Sequence, residues 1–234
     1  MKERNLDGKL AVVTGASRGI GRHIARALHA AGATVAITGR NAETLADAAR
    51  RIGAHCHPYV CDQRSETAVQ TMAQQVLAER GTPDILVNNA GVGGGGPVES
   101  LSLAEWDRVI GTNLTGVFLT TRAFVPAMKA RNRGDIFMIS SMSGKKGDPG
   151  ATAYAASKFG LQGFSQALTY EVRGHNIRVM VLNPSSVDTR ENEGPEYGTG
   201  LHLHAADLAE MIVHLACLPG RTLFRDMDIW GTNP

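Results

Sequence analysis

The chain has 234 residues, 43% of them apolar and 20% charged, enough to bury a substantial core as one domain over 1–234 and too few for two large ones. A formal net charge of +2, carried by scattered basic residues, offers no patch for nucleic acid or an anionic membrane surface. No apolar run approaches the roughly 20 residues of a membrane span, and residues 1–9 carry charges without the apolar stretch of a signal peptide, so a cytoplasmic protein is the expectation.

The first apolar run, 10–14, leads into Thr14-Gly15-Ala16-Ser17-Arg18-Gly19-Ile20-Gly21 and then a helical pattern over 20–31. Strand, glycine-rich turn and helix, in that order, are the context a dinucleotide site requires. Gly15 permits the tight turn. Gly19 and Gly21 let a pyrophosphate approach the backbone and let the helix lie near the sheet, while the helix N-terminus offers unpaired N–H groups and a partial positive charge.

The second strand, 34–38, is followed by Gly39-Arg40 with no acidic side chain. An acid there would bond the ribose 2′-hydroxyl of NAD, whereas arginine suits the 2′-phosphate of NADP. Arg40, joined by Arg18 from the glycine-rich turn, forms a charge-assisted clamp in this reading, and the cofactor is NADP(H). The plainer alternative is two solvated surface arginines.

A helical pattern over 42–52 precedes a third strand at 56–61 that holds Cys56 and Cys61 beside His55 and His57. With Cys217 the cysteine count is odd, which argues against a disulfide framework. The spacing fits no common zinc pattern, so buried thiols rather than a metal site are expected. A helix over 66–80 follows, then a strand at 85–88 closing on Asn88-Asn89-Ala90-Gly91, a glycine run at 93–97, and helical periodicity over 103–131 that includes Asn113. A strand at 135–140 ends beside Ser141, and after the turn-rich stretch 144–150 comes a helix over 153–172. A strand at 178–182, a helix over 205–218 and a candidate last strand at 225–230 complete the pattern. Strands alternating with helices predict an α/β fold, a Rossmann-like doubly wound parallel sheet with helices on both faces. The irregular segment 190–204 lies past a strand end, on the edge where such sheets bind ligands, and reads as a short lid.

Tyr154-Ala155-Ala156-Ser157-Lys158 puts a phenol and an ammonium on one helix face. Alone this spacing arises often by chance. Its company is what makes it specific: Ser141 stands thirteen residues upstream at a strand end, Asn113 lies before that, and Asn89-Ala90-Gly91 and the first turn precede both. In order, spacing and context these residues resemble the short-chain dehydrogenase/reductase family from about Lys9 to Thr189, in particular its NADP-preferring, 3-oxoacyl reductase-like members.

The resemblance implies that Tyr154 exchanges a proton with a carbonyl or alcohol oxygen. A free tyrosine, with pKa about 10, is a poor base at neutral pH; a positive charge about 4 Å away at an effective dielectric of about 20 is worth roughly 4 kcal/mol, or nearly three pKa units. Lys158 would supply that charge and bind the nicotinamide ribose, Ser141 would hold the substrate oxygen, and Asn113 would bind a water linking the lysine to solvent. The resemblance further implies that Asp62 contacts adenine, that Asn89, Ala90 and Gly91 flank the adenosine ribose, and that Pro184, Val187 and Thr189 meet the carboxamide. Relatives usually carry glycine after that proline, where this chain has Ser185.

The ending, Asp226 to Pro234, lacks the glycine-rich strand that helps many relatives form a tetramer, so the expected assembly is a homodimer or a homotetramer with one altered interface. Lys145, Lys146, Arg190, His202 and His204 would attract an anionic substrate or form an ordinary polar surface. The reading is an NADPH-dependent oxidoreductase acting on a small carbonyl or alcohol, with no metal. The alternatives are a catalytically silent NADP-binding regulator on the same fold, opposed by the complete set of reactive residues, and an NADP-dependent epimerase or dehydratase, opposed by the lack of a large C-terminal substrate domain.

Overall fold

The computed structural model describes residues 5–189 and 203–232. The strands Leu10–Val13 (β1), Thr34–Gly39 (β2), Cys56–Val60 (β3), Ile85–Asn88 (β4), Gly134–Ile139 (β5) and Ile177–Pro184 (β6) alternate with helices Gly19–Ala30 (α1), Ala42–Ile52 (α2), Glu66–Arg80 (α3), Leu103–Ile110 (α4), Gly116–Arg131 (α5) and Thr152–Val172 (α6). Short strands Val187–Asp188 (β7) and Leu203–His204 (β8) pair in parallel, and Ala205–Ala216 (α7) and Asp226–Ile229 (β9) follow.

Seven strands form one sheet in the order β3-β2-β1-β4-β5-β6-β9, and every neighbouring pair is parallel. Period-two alternation of the strand side chains explains why both faces are covered. Leu10 and Val12 of β1 join a cluster with Val69 of α3, Phe124 of α5 and Leu161 of α6, whereas Ala11 and Val13 join Ile24 of α1, Leu45 of α2 and Leu208 of α7. The last candidate strand is confirmed as β9, which extends the sheet beside β6 with Ile229 opposite Pro184. Cys56 and Cys61 are buried, as read from the sequence.

The helical stretch 103–131 is interrupted. A π-turn, Gly111–Thr115, separates α4 from α5, and the Gly116 N–H bonds back to the Gly111 carbonyl. Such turns insert one extra residue into a helix and redirect its side chains. Here the redirected residue is Asn113, which is buried. No described helix is long and apolar enough to cross a membrane.

Candidate active site at the carboxyl edge of the sheet

The strand order reverses direction between β1 and β4, and ligands of open α/β sheets bind in the crevice beyond the strand ends at that point. Thr14 joins the two strand ends. Its hydroxyl accepts the N–H groups of Asn89 and Ala90, each at 3.0 Å, while the Asn89 side chain donates to the Thr14 carbonyl at 2.8 Å. A cavity of about 350 Å³ opens there. Its walls include Gly15, Ser17, Arg18, Gly19, Ile20 and Gly21 from the first turn, Arg40 and Asp62 from the next two strand ends, and Asn89, Ala90, Gly91 and Thr189 opposite.

The glycines of the turn are explained by their neighbours. Gly15 has φ +65°, and a Cβ there would lie 2.7 Å from Ala90 Cα; one at Gly21 would lie 2.6 Å from the Gly15 carbonyl oxygen. The cavity floor is also electrically distinctive. The helices α2, α3 and α4 are capped by Asn41, Ser65 and Ser102, and each has a glutamate in its first turn. By contrast α1 has no side-chain cap and no first-turn acid, so its N–H groups face the cavity unpaired by side chains. Arg18 and Arg40 stand exposed on the rim, neither with a salt-bridge partner among the described residues. A glycine-rich cradle, an open helix N-terminus and two available guanidinium groups fit a dinucleotide bearing an extra phosphate. Asp62 also lines the cavity, but Arg64 holds it in a 2.7 Å ion pair that pulls its carboxyl below the usual range.

Asn113, Ser141, Tyr154 and Lys158 do not line this cavity; they lie beyond its Gly91 wall. A Cβ at Gly91 would lie 3.4 Å from Asn113 Oδ1 and 3.8 Å from Lys158 Nζ. Lys158 is 5% exposed, donates to the Ile139 carbonyl at 2.9 Å, and places Nζ 5.6 Å from the Tyr154 ring centroid. Burial pushes its pKa from 10.5 down to about 8. Burial raises the Tyr154 phenol, and a hydrogen bond with Ser141 pulls the other way. The two shifts oppose what a charged lysine alone would produce, and they favour the neutral form of both groups. Ser141 Oγ accepts the Ser143 N–H at 3.1 Å, which leaves its own proton to donate.

Asn113 is occupied by the protein. It accepts the Val92 N–H at 2.8 Å and donates to the Val92 carbonyl and to Ser157 Oγ, each at 3.0 Å. Both amide protons are used, so any water it holds must bond its remaining oxygen lone pair or its main chain. Pro184 ends β6 and Val187 lies in β7; neither touches the cavity wall, whereas Thr189 does.

The sequence profile described as short chain dehydrogenase matches residues 9–196. The chain belongs to the short-chain dehydrogenase family. Among curated relatives, a protein named 3-oxoacyl-[acyl-carrier-protein] reductase FabG from Escherichia coli (strain K12) is 38% identical over 188 residues, covering 79% of this chain and 76% of that one. Nodulation protein G of Rhizobium sp. (strain N33) is 40% identical over 184 residues, 79% of this chain and 75% of the relative. A crystal structure of a metagenomic short-chain oxidoreductase in complex with NADP superposes with TM-score 0.86 at 39% identity, covering 98% of this chain and 99% of that one. Alcohol dehydrogenase from the archaeon Thermococcus sibiricus, complexed with 5-hydroxy-NADP, gives 0.87 at 28% identity over 97% of each chain.

Two residues of this short-chain dehydrogenase escaped the sequence reading. Gln63 lines the cavity and donates to the carbonyls of Ala90 and Thr112 at 3.2 and 2.6 Å, tying the Ala90 wall of the cavity to the π-turn. Ser157 accepts from Asn113 and donates to the Tyr154 carbonyl at 2.7 Å, fixing α6 against the same turn. Gln63 bonds carbonyls of distant segments and Ser157 receives an amide N–H from one, contacts for which sequence carries no periodic signal. Two residues proposed to attract an anionic substrate are otherwise engaged, since Lys145 pairs with Asp226 and Lys146 lies 3.6 Å from Asp148; His204 stands at the start of α7, where its main-chain N–H bonds Asp207 at 2.8 Å. Arg190, His202 and nearly all of the expected lid, 190–204, lie outside the described residues.

Proposed function

We propose that this chain is an NADPH-dependent reductase of small carbonyl compounds, able to run in reverse as an alcohol dehydrogenase, with Tyr154 as its general acid and base. The observation that carries the reading is the meeting of Tyr154, Ser141 and Lys158 just beyond Gly91, a wall residue of the cavity proposed for the dinucleotide. NADP in the metagenomic relative and 5-hydroxy-NADP in the archaeal one support the cofactor, as do Arg18 and Arg40 here.

When bound, the nicotinamide supplies hydride to the carbonyl carbon. This chain supplies the proton and the geometry. Tyr154, kept neutral by burial, donates its phenolic proton to the carbonyl oxygen as negative charge develops there. Ser141 donates a second hydrogen bond to the same oxygen. A charged Lys158 near 5.6 Å from the ring stabilises the phenolate left behind by about 3 kcal/mol at an effective dielectric of about 20. With its pKa near 8, Lys158 is close to balance between its two forms and can return a proton to the tyrosine. Asn113 and Ser157 hold the lysine-bearing helix against the π-turn.

Exposed Phe118 on α5, and Phe159 and Tyr170 on α6, give these helices an apolar outer face that supports a homodimer, or a homotetramer built from it. The experiment for the reaction is NADPH consumption over a carbonyl panel that includes a 3-oxoacyl thioester. Tyr154→Phe should lower kcat by about 100-fold or more, the scale of general acid catalysis, with NADPH binding retained. Turnover that survives the substitution overturns the assignment.

A further inference from the structure

The reaction above uses Ser141 but not the polar groups beneath it. Ser140, Gln162 and Asn183 are all buried, Asn183 completely. Gln162 Nε2 donates to Ser140 Oγ at 3.2 Å and to Asn183 Oδ1 at 2.5 Å. Asn183 Nδ2 then donates to Asp226 Oδ1 at 2.5 Å and Asp228 Oδ1 at 3.0 Å. Both carboxylates belong to β9. Lys145 bonds Asp226 and stands 3.5 Å from Asp228.

The four amide protons in this chain of bonds each have one direction. The two amide protons of Asn183 go to carboxylates, which fixes its oxygen toward Gln162, and the two of Gln162 go to Asn183 and Ser140. The inner members adjoin the reactive elements: Ser140 precedes Ser141, Gln162 lies one helical turn after Lys158, and Asn183 precedes Pro184. The outer member, Lys145, follows the short turn that Ser141 opens. That turn closes on itself through Gly144 N–H to the Ser141 carbonyl at 2.9 Å and Lys145 N–H to the Met142 carbonyl at 2.9 Å. These bonds shape the turn; the Lys145 side chain fastens it to the sheet.

We propose that Lys145, Asp226 and Asp228 form a latch by which the last strand holds the Ser141 turn in register with Tyr154 and Lys158. They are positioning residues, and the inference rests on the reaction proposed above. Exposed ion pairs contribute little to stability, and the Lys145 side chain is 32% exposed. A displacement of about 1 Å at a reacting group, however, can cost on the order of 100-fold in rate. The latch is therefore expected to matter for turnover well beyond its effect on unfolding.

The test compares Lys145→Met, Lys145→Arg and the isosteric double variant Asp226→Asn/Asp228→Asn with the unaltered full chain. The readouts are kcat with NADPH and ethyl acetoacetate, NADPH affinity by fluorescence titration, thermal midpoint, and hydrogen exchange of the 143–146 amides. Lys145→Met and the Asn pair should each lower kcat by about ten- to a hundredfold. NADPH affinity and the midpoint should stay close to those of the unaltered chain, and exchange at 143–146 should quicken. Lys145→Arg should restore most of kcat, and joining Lys145→Met to the Asn pair should cost no more than either alone. Unchanged kcat, an equal loss in Lys145→Arg, or a loss that follows weakened NADPH binding or a lowered midpoint overturns the latch. If Lys145→Met fails to fold, the Asn pair carries the same comparison. An unaltered chain inert toward every carbonyl would overturn the reaction rather than the latch, which the exchange rates then decide.

Discussion

Replacing Arg40 with alanine should separate the two nicotinamide cofactors. Arg40 lies on the cavity rim beside the end of β2, is exposed, and has no salt-bridge partner among the described residues. The acid it senses, Asp62, is held by Arg64. Its charge is thus available to a ligand. Hydrogen bonds to charged groups are worth about 1.5–3 kcal/mol, and solvent screening at the rim favours the lower figure. About 1.5 kcal/mol is roughly tenfold in Kd. Arg40→Ala should therefore weaken NADPH about tenfold, and Arg18→Ala/Arg40→Ala about a hundredfold if the two act independently. NADH, which has no 2′-phosphate, should be nearly indifferent to either change. Fluorescence titration of both cofactors at two salt concentrations checks this, since screening must shrink the NADPH effect at the higher one. The reasoning fails if NADH binds the unaltered chain as tightly as NADPH, or if the substitution weakens both alike.

Lys158 gives a prediction about stability. Its folded pKa, about 8, lies below the ordinary 10.5, so between those values the unfolded chain binds more protons and the folded state gains stability as pH rises. The burial cost is present in full below about pH 8 and amounts to roughly 3 kcal/mol. Urea unfolding of Lys158→Met and the unaltered chain should show a difference that moves in favour of the unaltered chain from pH 8 to 10.5; a flat difference refutes the shift. Gly15→Ala should damage both binding and folding. It places a Cβ 2.7 Å from the Ala90 backbone at φ +65°, strain of about 1–3 kcal/mol. NADPH titration and thermal unfolding should both register the change, and normal values in both would show that the turn can relax.

The fold was legible because its signals are local. Short apolar runs alternating with helical periods gave the β/α order, and a strand followed by Gly15, Gly19 and Gly21 located the cavity. The first turn and the Tyr154, Lys158 and Ser141 set lay at readable spacings, and the structure gathers them at one end of the sheet. Contacts between distant segments were not legible. Lys145 read as a substrate-attracting or ordinary surface cation because Asp226 is far from it in sequence, and Gln63 drew no reading because its two carbonyl partners belong to later segments. The tyrosine's environment was misjudged for a related reason. Charge proximity can be guessed from helical spacing, whereas the burial that raises Tyr154 and lowers Lys158 depends on packing from the whole site. The break at 111–115 was invisible because helical periodicity continues on either side of it.

That break also sets a limit on how the protein can be improved. Deleting one residue from 111–115 would let α4 run into α5 as a regular helix with better-aligned backbone bonds. The shortened rod would gain local order while rotating Asn113 by about 100° away from Val92 and Ser157. Selection for thermal resistance alone would thus favour a sturdier rod that has lost the Asn113 contacts, so the extra residue marks a position where durability and the proposed turnover pull in opposite directions.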